Sequence, residues 1–227
     1  MNQAAVQLPL SATTVRYLFA STWAVRDDSH QGMHVPGAKV HARNTGGNLL
    51  NLAIWSLLDQ GLVEVEQLRP VQEEDGLVVA GGRSFARVRP LPGEPIRDGG
   101  LEGVLLTKMR ARDPDKRLGR LARKLSKDDE WGLRGSLQEL DYDRWSPWGS
   151  VAAICFAEAK TAGLVDIGEG RRIVITDPDG VKDLEPRDAE VTEARRRYRD
   201  REAELDMATT YDCFAALDWA HRPGNDP

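Results

Sequence analysis

The sequence predicts a mainly α-helical protein in which two winged-helix-like lobes with small β-hairpins pack as one body. Three observations support this fold class: the apolar content, a helix–glycine–strand pattern that occurs twice, and helical spacing of apolar residues in much of the remaining chain. The chain has 227 residues, of which 41% are hydrophobic and 30% are charged. This composition suits one compact domain or two small ones, and it argues against a disordered chain.

The N-terminal part begins with a predicted helix. Ser11 is a suitable N-cap for a helix that continues to about Ala24, because its side-chain oxygen can accept a hydrogen bond from the first turn. Residues 26–47 contain several glycines and a proline, which are typical of turns and loops. We therefore expect this second stretch to be irregular.

The helix–glycine–strand pattern defines the two lobes. Residues 48–60 have the apolar spacing of a buried helix, Gly61 follows it, and a short apolar stretch comes next; residues 150–162 and Gly163 repeat the arrangement. A glycine after the last helical turn adopts the left-handed conformation that ends a helix without a steric penalty. Helix, glycine and apolar strand is also a common combination, so coincidence is the alternative to an internal repeat.

Each unit is expected to end in a hairpin. The first hairpin would join Leu62–Val65 to Leu77–Ala80, and the second would join Leu164–Ile167 to Arg172–Ile175. A helix followed by a small hairpin is the winged-helix pattern. The predicted lobes divide the chain into these two ranges: residues 1–98 and residues 99–227.

The remaining segments complete the predicted order. Residues 83–89 alternate imperfectly between apolar and basic side chains before a run of prolines, and Thr176–Gly180 has the composition of a turn. Apolar or charged residues at helical spacing predict further helices. These helices are expected at residues 101–109, 114–125, 131–140, 187–205 and 211–219.

Charge and cysteine content limit the classes of function. Lys and Arg number 31 and Asp and Glu number 36, a formal net charge of −5, which argues against wholesale coating of nucleic acid. The chain contains no apolar run long enough to span a bilayer, so we expect no transmembrane segment. Cys155 and Cys213 form neither a disulfide framework nor a paired-thiol metal motif. We expect a cytoplasmic protein, and peripheral association with a membrane remains open.

The strongest candidate for a binding surface is a basic segment. Residues 108–127, called the basic segment below, contain nine Lys and Arg and two Asp, a local charge of +7 that leaves −12 for the rest of the chain. Such a concentrated field can attract a lipid head group, an acidic protein segment or nucleic-acid phosphate. The predicted anion-binding residues are Arg112, Lys116, Arg117, Arg120, Arg123 and Lys124. The alternative is a solvated helix face that binds nothing.

DNA binding is the second functional hypothesis. In a winged-helix protein that binds DNA, the helix before the hairpin enters the major groove and must carry cationic or polar side chains. Residues 48–60 contain no Lys or Arg, and residues 150–162 contain only Lys160, close to Glu158. Both helices are therefore predicted to belong to the core. A winged-helix DNA-binding regulator remains the alternative to a lipid or protein adaptor.

Enzymatic and metal-binding functions have weaker support. No nucleophile elbow, phosphate-binding loop, dinucleotide fingerprint or zinc-protease motif occurs in the sequence. His30, His34 and His41 are ligand types for zinc, but glycine and proline interrupt the helix that would aim the first two together. Cys155 lies in an apolar stretch, where a thiol is a poor nucleophile. We expect that the protein is not an enzyme and that it binds no metal or cofactor. An enzyme whose site has no recognised motif is the third hypothesis.

The order of these segments resembles the Golgi phosphoprotein 3-like family. The resemblance depends on an N-terminal helix, two helices that end in Gly-Leu-Val-Glu-Val and Gly-Leu-Val-Asp-Ile, a helix between them that begins near Leu101, and late helices. It implies a mainly helical fold and a non-enzymatic adaptor role, with peripheral membrane association through a phosphoinositide head group and contacts to protein tails.

The resemblance carries over no lipid-binding residue. In the family, a tryptophan and arginines near the start of two helices surround the lipid pocket, whereas the matching stretches here, Leu49–Leu50 and Gly149–Ala152, contain no basic residue. The family's apolar membrane-entering hairpin has no counterpart in Thr176–Lys182, which is polar. Similarity of fold does not by itself imply the same ligand.

Overall fold

The computed structural model describes residues 10–29, 32–68, 71–74, 77–80, 85–93, 100–111 and 147–204. Within these ranges the chain is mainly helical, with four small antiparallel strand pairs. The helices are α1 Ala12–Leu18, α2 Ala20–Trp23, α3 Ala42–Asp59, α4 Gly100–Ala111, α5 Pro147–Thr161, α6 Pro178–Lys182 and α7 Glu185–Glu204. The strands are β1 Met33–Val35, β2 Ala38–Val40, β3 Val63–Leu68, β4 Val71–Glu74, β5 Leu77–Ala80, β6 Phe85–Pro90, β7 Val165–Ile167 and β8 Ile173–Ile175.

Within the described residues, four helices contribute most of the core. Helices α3 and α5 pack against each other, and α1 and α4 pack against both. Leu49 and Leu57 of α3 and Phe156 of α5 are fully buried, as expected for helices with few polar positions. The prediction that these two helices belong to the core is confirmed.

Helices α3 and α5 approach each other closely at one glycine. A Cβ atom at Gly46 would lie 3.0 Å from the Cα atom of Trp148, whose own side chain is buried. Trp148 is therefore part of the core at the point where the two helices meet. Close approach of backbones explains why a glycine is present inside α3 despite its low helix propensity.

Both helix–glycine–strand units occur as predicted. Gly61 has φ +67° and Gly163 has φ +77°, and neither would bring a Cβ atom within 4 Å of another group. The N–H of Leu62 donates to the carbonyl of Leu57, and the N–H of Leu164 donates to the carbonyl of Ala159. The same left-handed cap therefore ends α3 and α5 and turns the chain into β3 and β7.

The first hairpin differs from the prediction, whereas the second agrees with it. Strand β3 continues to Leu68 and pairs with β6, and Leu77–Ala80 pairs with β4 instead of with β3. The predicted pairing was wrong because the chain between β3 and β6 contains a separate antiparallel pair, β4 with β5. In the second unit β7 pairs antiparallel with β8, with Val165 opposite Ile175.

Residues 26–47 were wrongly expected to be irregular. They contain the β1–β2 hairpin, whose turn includes Gly37 at φ +74°, and the first turn of α3. Helix α3 begins at Ala42, earlier than predicted, because Nδ1 of His41 accepts a hydrogen bond from the N–H of Asn44. The sequence signal for this start was hidden by the glycines of the first two turns.

The C-terminal part shows one further difference. Thr176–Gly180 was predicted to be a turn, but Asp177 caps the short helix α6 and Pro178 occupies its first position, where a missing N–H is tolerated. The charged helix predicted at 187–205 is present as α7. The helices expected at 114–125, 131–140 and 211–219 lie outside the described residues. None of the described helices is long and apolar enough to cross a membrane.

Candidate functional site

Helix α1 begins at a buried cluster of polar side chains. Thr13 donates from its N–H to Oε1 of Glu102 at 3.2 Å and from its hydroxyl to Oε2 at 2.6 Å. Glu102 extends from the first turn of α4, and 6% of it is exposed. One carboxyl group therefore accepts both donors of a residue in the first turn of another helix.

A second carboxyl group binds the same helix end from α5. Glu158 accepts from the N–H of Ser11 at 2.9 Å, from the Ser11 hydroxyl at 2.6 Å and from the Thr14 hydroxyl at 2.5 Å. The Ser11 oxygen also accepts from the N–H of Thr14, so the predicted N-cap is confirmed. We call Ser11, Thr13, Thr14, Glu102 and Glu158 the carboxyl cluster.

Gly100 makes room for the carboxyl cluster. Its φ is +75°, and a Cβ atom there would lie 2.6 Å from Oε2 of Glu158 and 2.6 Å from both Cβ and Oγ of Ser11. A side chain at this position would therefore overlap the N-cap and its carboxylate partner. The start of α4 thus depends on a glycine for both its conformation and its contacts.

The cluster lies in a water-poor environment that disfavours negative charge. Burial raises the pKa of Glu102, and the nearby Glu158 adds to the effect, while the hydrogen bonds from Thr13 oppose it. The Cys155 thiol is completely buried beside the cluster, and burial raises its pKa well above its ordinary value. The prediction that Cys155 is a buried thiol is confirmed.

A second polar cluster joins α1 to α7. Arg16 donates two hydrogen bonds to Asp188, at 3.0 and 2.8 Å, and its guanidinium carbon lies 5.0 Å from the ring centre of Trp23. The guanidinium carbon of Arg195 lies 5.9 Å from the centre of the same ring, and Arg195 donates a hydrogen bond to Asn48 of α3. These contacts hold the charged helix α7 against the core through buried and half-buried cations.

The predicted anion-binding residues lie outside the described residues. These are Arg112, Lys116, Arg117, Arg120, Arg123 and Lys124. Within α4, Arg110 is exposed and donates to the carbonyls of Leu91 and Gly93. The one cation of the basic segment whose contacts are described therefore also anchors the chain that follows β6.

The histidine hypothesis finds no support in the part of the chain that is described. His34 lies in β1, His41 caps α3, and His30 is outside the described ranges. Among the described residues, no group of three His, Cys, Asp or Glu side chains is arranged to hold a metal ion.

The second hairpin exposes apolar side chains. Val174 is 41% exposed and Ile175 is 39% exposed, beside the exposed Arg171 and Arg172. Thr176–Lys182, the polar stretch compared with the family's apolar hairpin, is mostly helix α6. The exposed apolar residues lie one strand earlier, on β8, where the alternation of a three-residue strand was too short to distinguish buried from exposed positions.

The carboxyl cluster was missed in the sequence, although Glu102 left a local signal. Leu105, Leu106 and Met109 lie three, four and seven residues after Glu102 and are all buried, so Glu102 continues an apolar stripe. An acid on the buried face of a helix indicates a buried polar partner. That partner, Thr13, could not be found from the stripe alone.

Comparisons of the chain with protein-family models, with curated proteins and with solved structures found no match in any of the three.

Proposed function

We propose that this chain is a non-enzymatic binding or adaptor protein that meets an anionic lipid surface through its basic segment. The observation that carries the proposal is the separation of charge, +7 over residues 108–127 against −12 in the rest. A cationic segment beside an acidic body attracts an anionic surface while the remainder is repelled, which orients the protein. The candidate contacts remain Arg112, Lys116, Arg117, Arg120, Arg123 and Lys124.

The described core is compatible with this assignment. The apolar residues of α3 and α5 are buried against each other, so most of these two helices is taken up by the core. In the finer form of the proposal, the two helix–glycine–hairpin units are winged-helix-like lobes, and the chain is a divergent relative of the Golgi phosphoprotein 3-like family. Any anionic partner would then be met outside the helices that winged-helix proteins use on DNA.

The exposed hairpin favours a lipid over an acidic protein segment as the partner. Val174 and Ile175 keep about two fifths of their surface accessible. Covering that surface in the interface of a bilayer is worth roughly 1.5 kcal/mol for the two residues, since full burial of such a side chain is worth about 2 kcal/mol. The apolar contact would add to the attraction of the basic segment.

Vesicle flotation tests the proposal. Vesicles of phosphatidylcholine with phosphatidylserine, or with a phosphoinositide, are compared with phosphatidylcholine alone. We expect binding to the anionic vesicles that weakens with added salt, a loss of about a hundredfold in R117E/R120E/K124E at roughly 1 kcal/mol per cation, and a loss of about tenfold in V174S/I175S.

The matched control is K182E/R196E/R197E, which makes the same change in net charge at exposed positions of α6 and α7. Equal losses in both charge-reversal variants would mean that only total charge matters and would contradict a specific role of the basic segment. If the wild-type protein binds none of the vesicles but binds an acidic peptide through Arg117, Arg120 and Lys124, the partner is a protein and not a lipid.

DNA binding is the alternative function. The burial of the apolar faces of α3 and α5 disfavours the usual geometry, so the basic segment is the candidate to contact phosphates. A gel-shift assay with duplex DNA at low salt separates the hypotheses. A shift that falls steeply with salt and is lost in R117E/R120E/K124E would support a DNA-binding regulator.

A further inference from the structure

The carboxyl cluster contains more oxygen–oxygen contacts than its hydroxyl hydrogens can fill. Four such contacts occur: Thr13 to Glu102 at 2.6 Å, Ser11 to Glu158 at 2.6 Å, Thr14 to Glu158 at 2.5 Å, and Ser11 to Thr13 at 3.1 Å. Each hydroxyl has one hydrogen, and an ionised carboxylate has none. With both glutamates ionised, three hydrogens must serve four contacts.

No arrangement of three hydrogens satisfies the cluster. If every hydroxyl donates to a carboxylate, the Ser11 and Thr13 oxygens face each other without a hydrogen between them. If Ser11 donates to Thr13 instead, its oxygen lies 2.6 Å from a carboxylate oxygen with none between them. If Thr13 donates to Ser11, the Thr13 oxygen lies 2.6 Å from Oε2 of Glu102 with no hydrogen between them. Each of the three arrangements places oxygen lone pairs against each other in a buried site, which is unfavourable.

We propose that the folded protein holds one additional proton in the carboxyl cluster, carried by Glu102 and connected to Glu158 by a chain of hydrogen bonds. Oε2 of Glu102 then donates to the Thr13 hydroxyl, Thr13 donates to Ser11, and Ser11 donates to Glu158. Thr14 donates to the same Glu158 oxygen. All four contacts become hydrogen bonds, and the two backbone donors keep their carboxyl partners.

Burial selects Glu102 as the residue that carries the proton. Glu102 is buried, whereas Glu158 is partly exposed. The described residues provide Glu102 with no cationic partner, so neutralisation by a proton is the way to avoid a buried charge. The raised pKa of Glu102 has the same direction.

The described groups that face Glu102 do little to balance a negative charge on its carboxyl group. Glu158 and the Cys155 thiol approach it from α5, and α1 presents hydroxyl and amide groups. The described charges of α3, Arg43 and Asp59, are exposed at its two ends. On β6, Arg89 is exposed and paired with Glu64. The inference concerns the docking of α1 on α4 and α5 and does not depend on the proposed lipid binding.

The proton makes the docking of α1 sensitive to pH. An unfolded chain releases the Glu102 proton near pH 4.5, the ordinary value for glutamate, whereas the folded protein keeps it to higher pH. The stabilisation is therefore fully present below that value, and it is lost as pH rises through the raised folded pKa. In this interval the folding equilibrium constant falls by up to tenfold for each pH unit.

The variant Glu102→Gln tests the inference. Its amide donates to Thr13 permanently and accepts from the Thr13 N–H, so it imitates the protonated acid and cannot titrate. Urea unfolding from pH 5 to 9 should show wild-type stability falling relative to E102Q as pH rises. Infrared spectra of protein with ¹³C-labelled glutamate should show a protonated carboxyl band at pH 7 that E102Q lacks.

Glu190→Gln, at an exposed position of α7, is the matched control and should change neither measurement. Parallel stability profiles of the wild type and E102Q, or a wild-type infrared spectrum at pH 7 without a protonated glutamate, would overturn the inference. The wild-type infrared measurement decides the question even if E102Q does not fold. A protonated band that persists in E102Q and disappears in Glu158→Gln would also overturn the assignment of the proton to Glu102.

Discussion

Replacement of Gly100 by alanine would place a methyl group inside the carboxyl cluster. The new Cβ atom would lie 2.6 Å from the Ser11 Cβ and Oγ atoms and 2.6 Å from Oε2 of Glu158. The Glu158 carboxylate is the end of a flexible side chain and can rotate away. The Ser11 Cβ atom is attached to the backbone, so relief of this contact requires movement of the N-cap of α1.

The expected magnitude has two parts. Alanine at φ +75° costs about 1–2 kcal/mol because of the left-handed conformation. Displacement of Ser11 or Glu158 removes at least one hydrogen bond to a charged group, worth about 1.5–3 kcal/mol. Together the two parts predict that Gly100→Ala lowers the free energy of unfolding by roughly 2.5–5 kcal/mol.

Gly163→Ala separates the two parts. Gly163 has nearly the same backbone conformation, at φ +77°, but a Cβ atom there meets nothing within 4 Å. This variant should cost only the conformational part, about 1–2 kcal/mol. The smaller entropy of the unfolded chain after a glycine-to-alanine change stabilises both variants alike, by about 0.4–1 kcal/mol, and cancels in the comparison.

Urea denaturation of the wild type, G100A and G163A, followed by tryptophan fluorescence and by circular dichroism, gives the two differences in unfolding free energy. Equal destabilisation of G100A and G163A would refute the reasoning, because it would show that the cluster adjusts to a methyl group without loss. Destabilisation of G163A alone would refute it more strongly.

Two further predictions concern the other core contacts. Arg16→Met should lower the free energy of unfolding by about 3 kcal/mol, because it leaves the largely buried Asp188 without its ion-pair partner. The double variant R16M/D188L should recover part of this loss in urea unfolding. A double variant less stable than R16M would contradict this account. Gly46→Ala should cost roughly 1–3 kcal/mol by forcing α3 away from the Trp148 backbone, measured as a fall in the thermal midpoint, and an unchanged midpoint would show that the two helices separate freely.

The sequence was informative where structure depends on neighbours along the chain. Ser11 caps α1 because its side chain reaches the N–H of Thr14 three residues away, and this relation is readable from residue type and spacing. The burial of α3 and α5 in the core could be predicted because both helices have apolar residues at nearly every turn. The prediction for the first hairpin was wrong because residue types near β3 did not distinguish β5 from β6 as its partner.

The carboxyl cluster could not be predicted because its contacts connect distant parts of the chain. Thr13 and Glu102 are 89 residues apart, and Ser11 and Glu158 are 147 residues apart. In the sequence Glu158 was noted only for its closeness to Lys160, and Glu102 was not singled out. Which carboxyl group meets which hydroxyl group depends on how three helices pack.

By itself the sequence determined where helices α3 and α5 end and that both are buried, because a glycine without a side chain and a continuous apolar pattern act through local sterics and the avoidance of water. Only the tertiary structure decided that two acids share the start of α1. Hydrogen bonds of 2.5–3.2 Å require atoms to be adjacent in space, and no spacing along the chain specifies that adjacency.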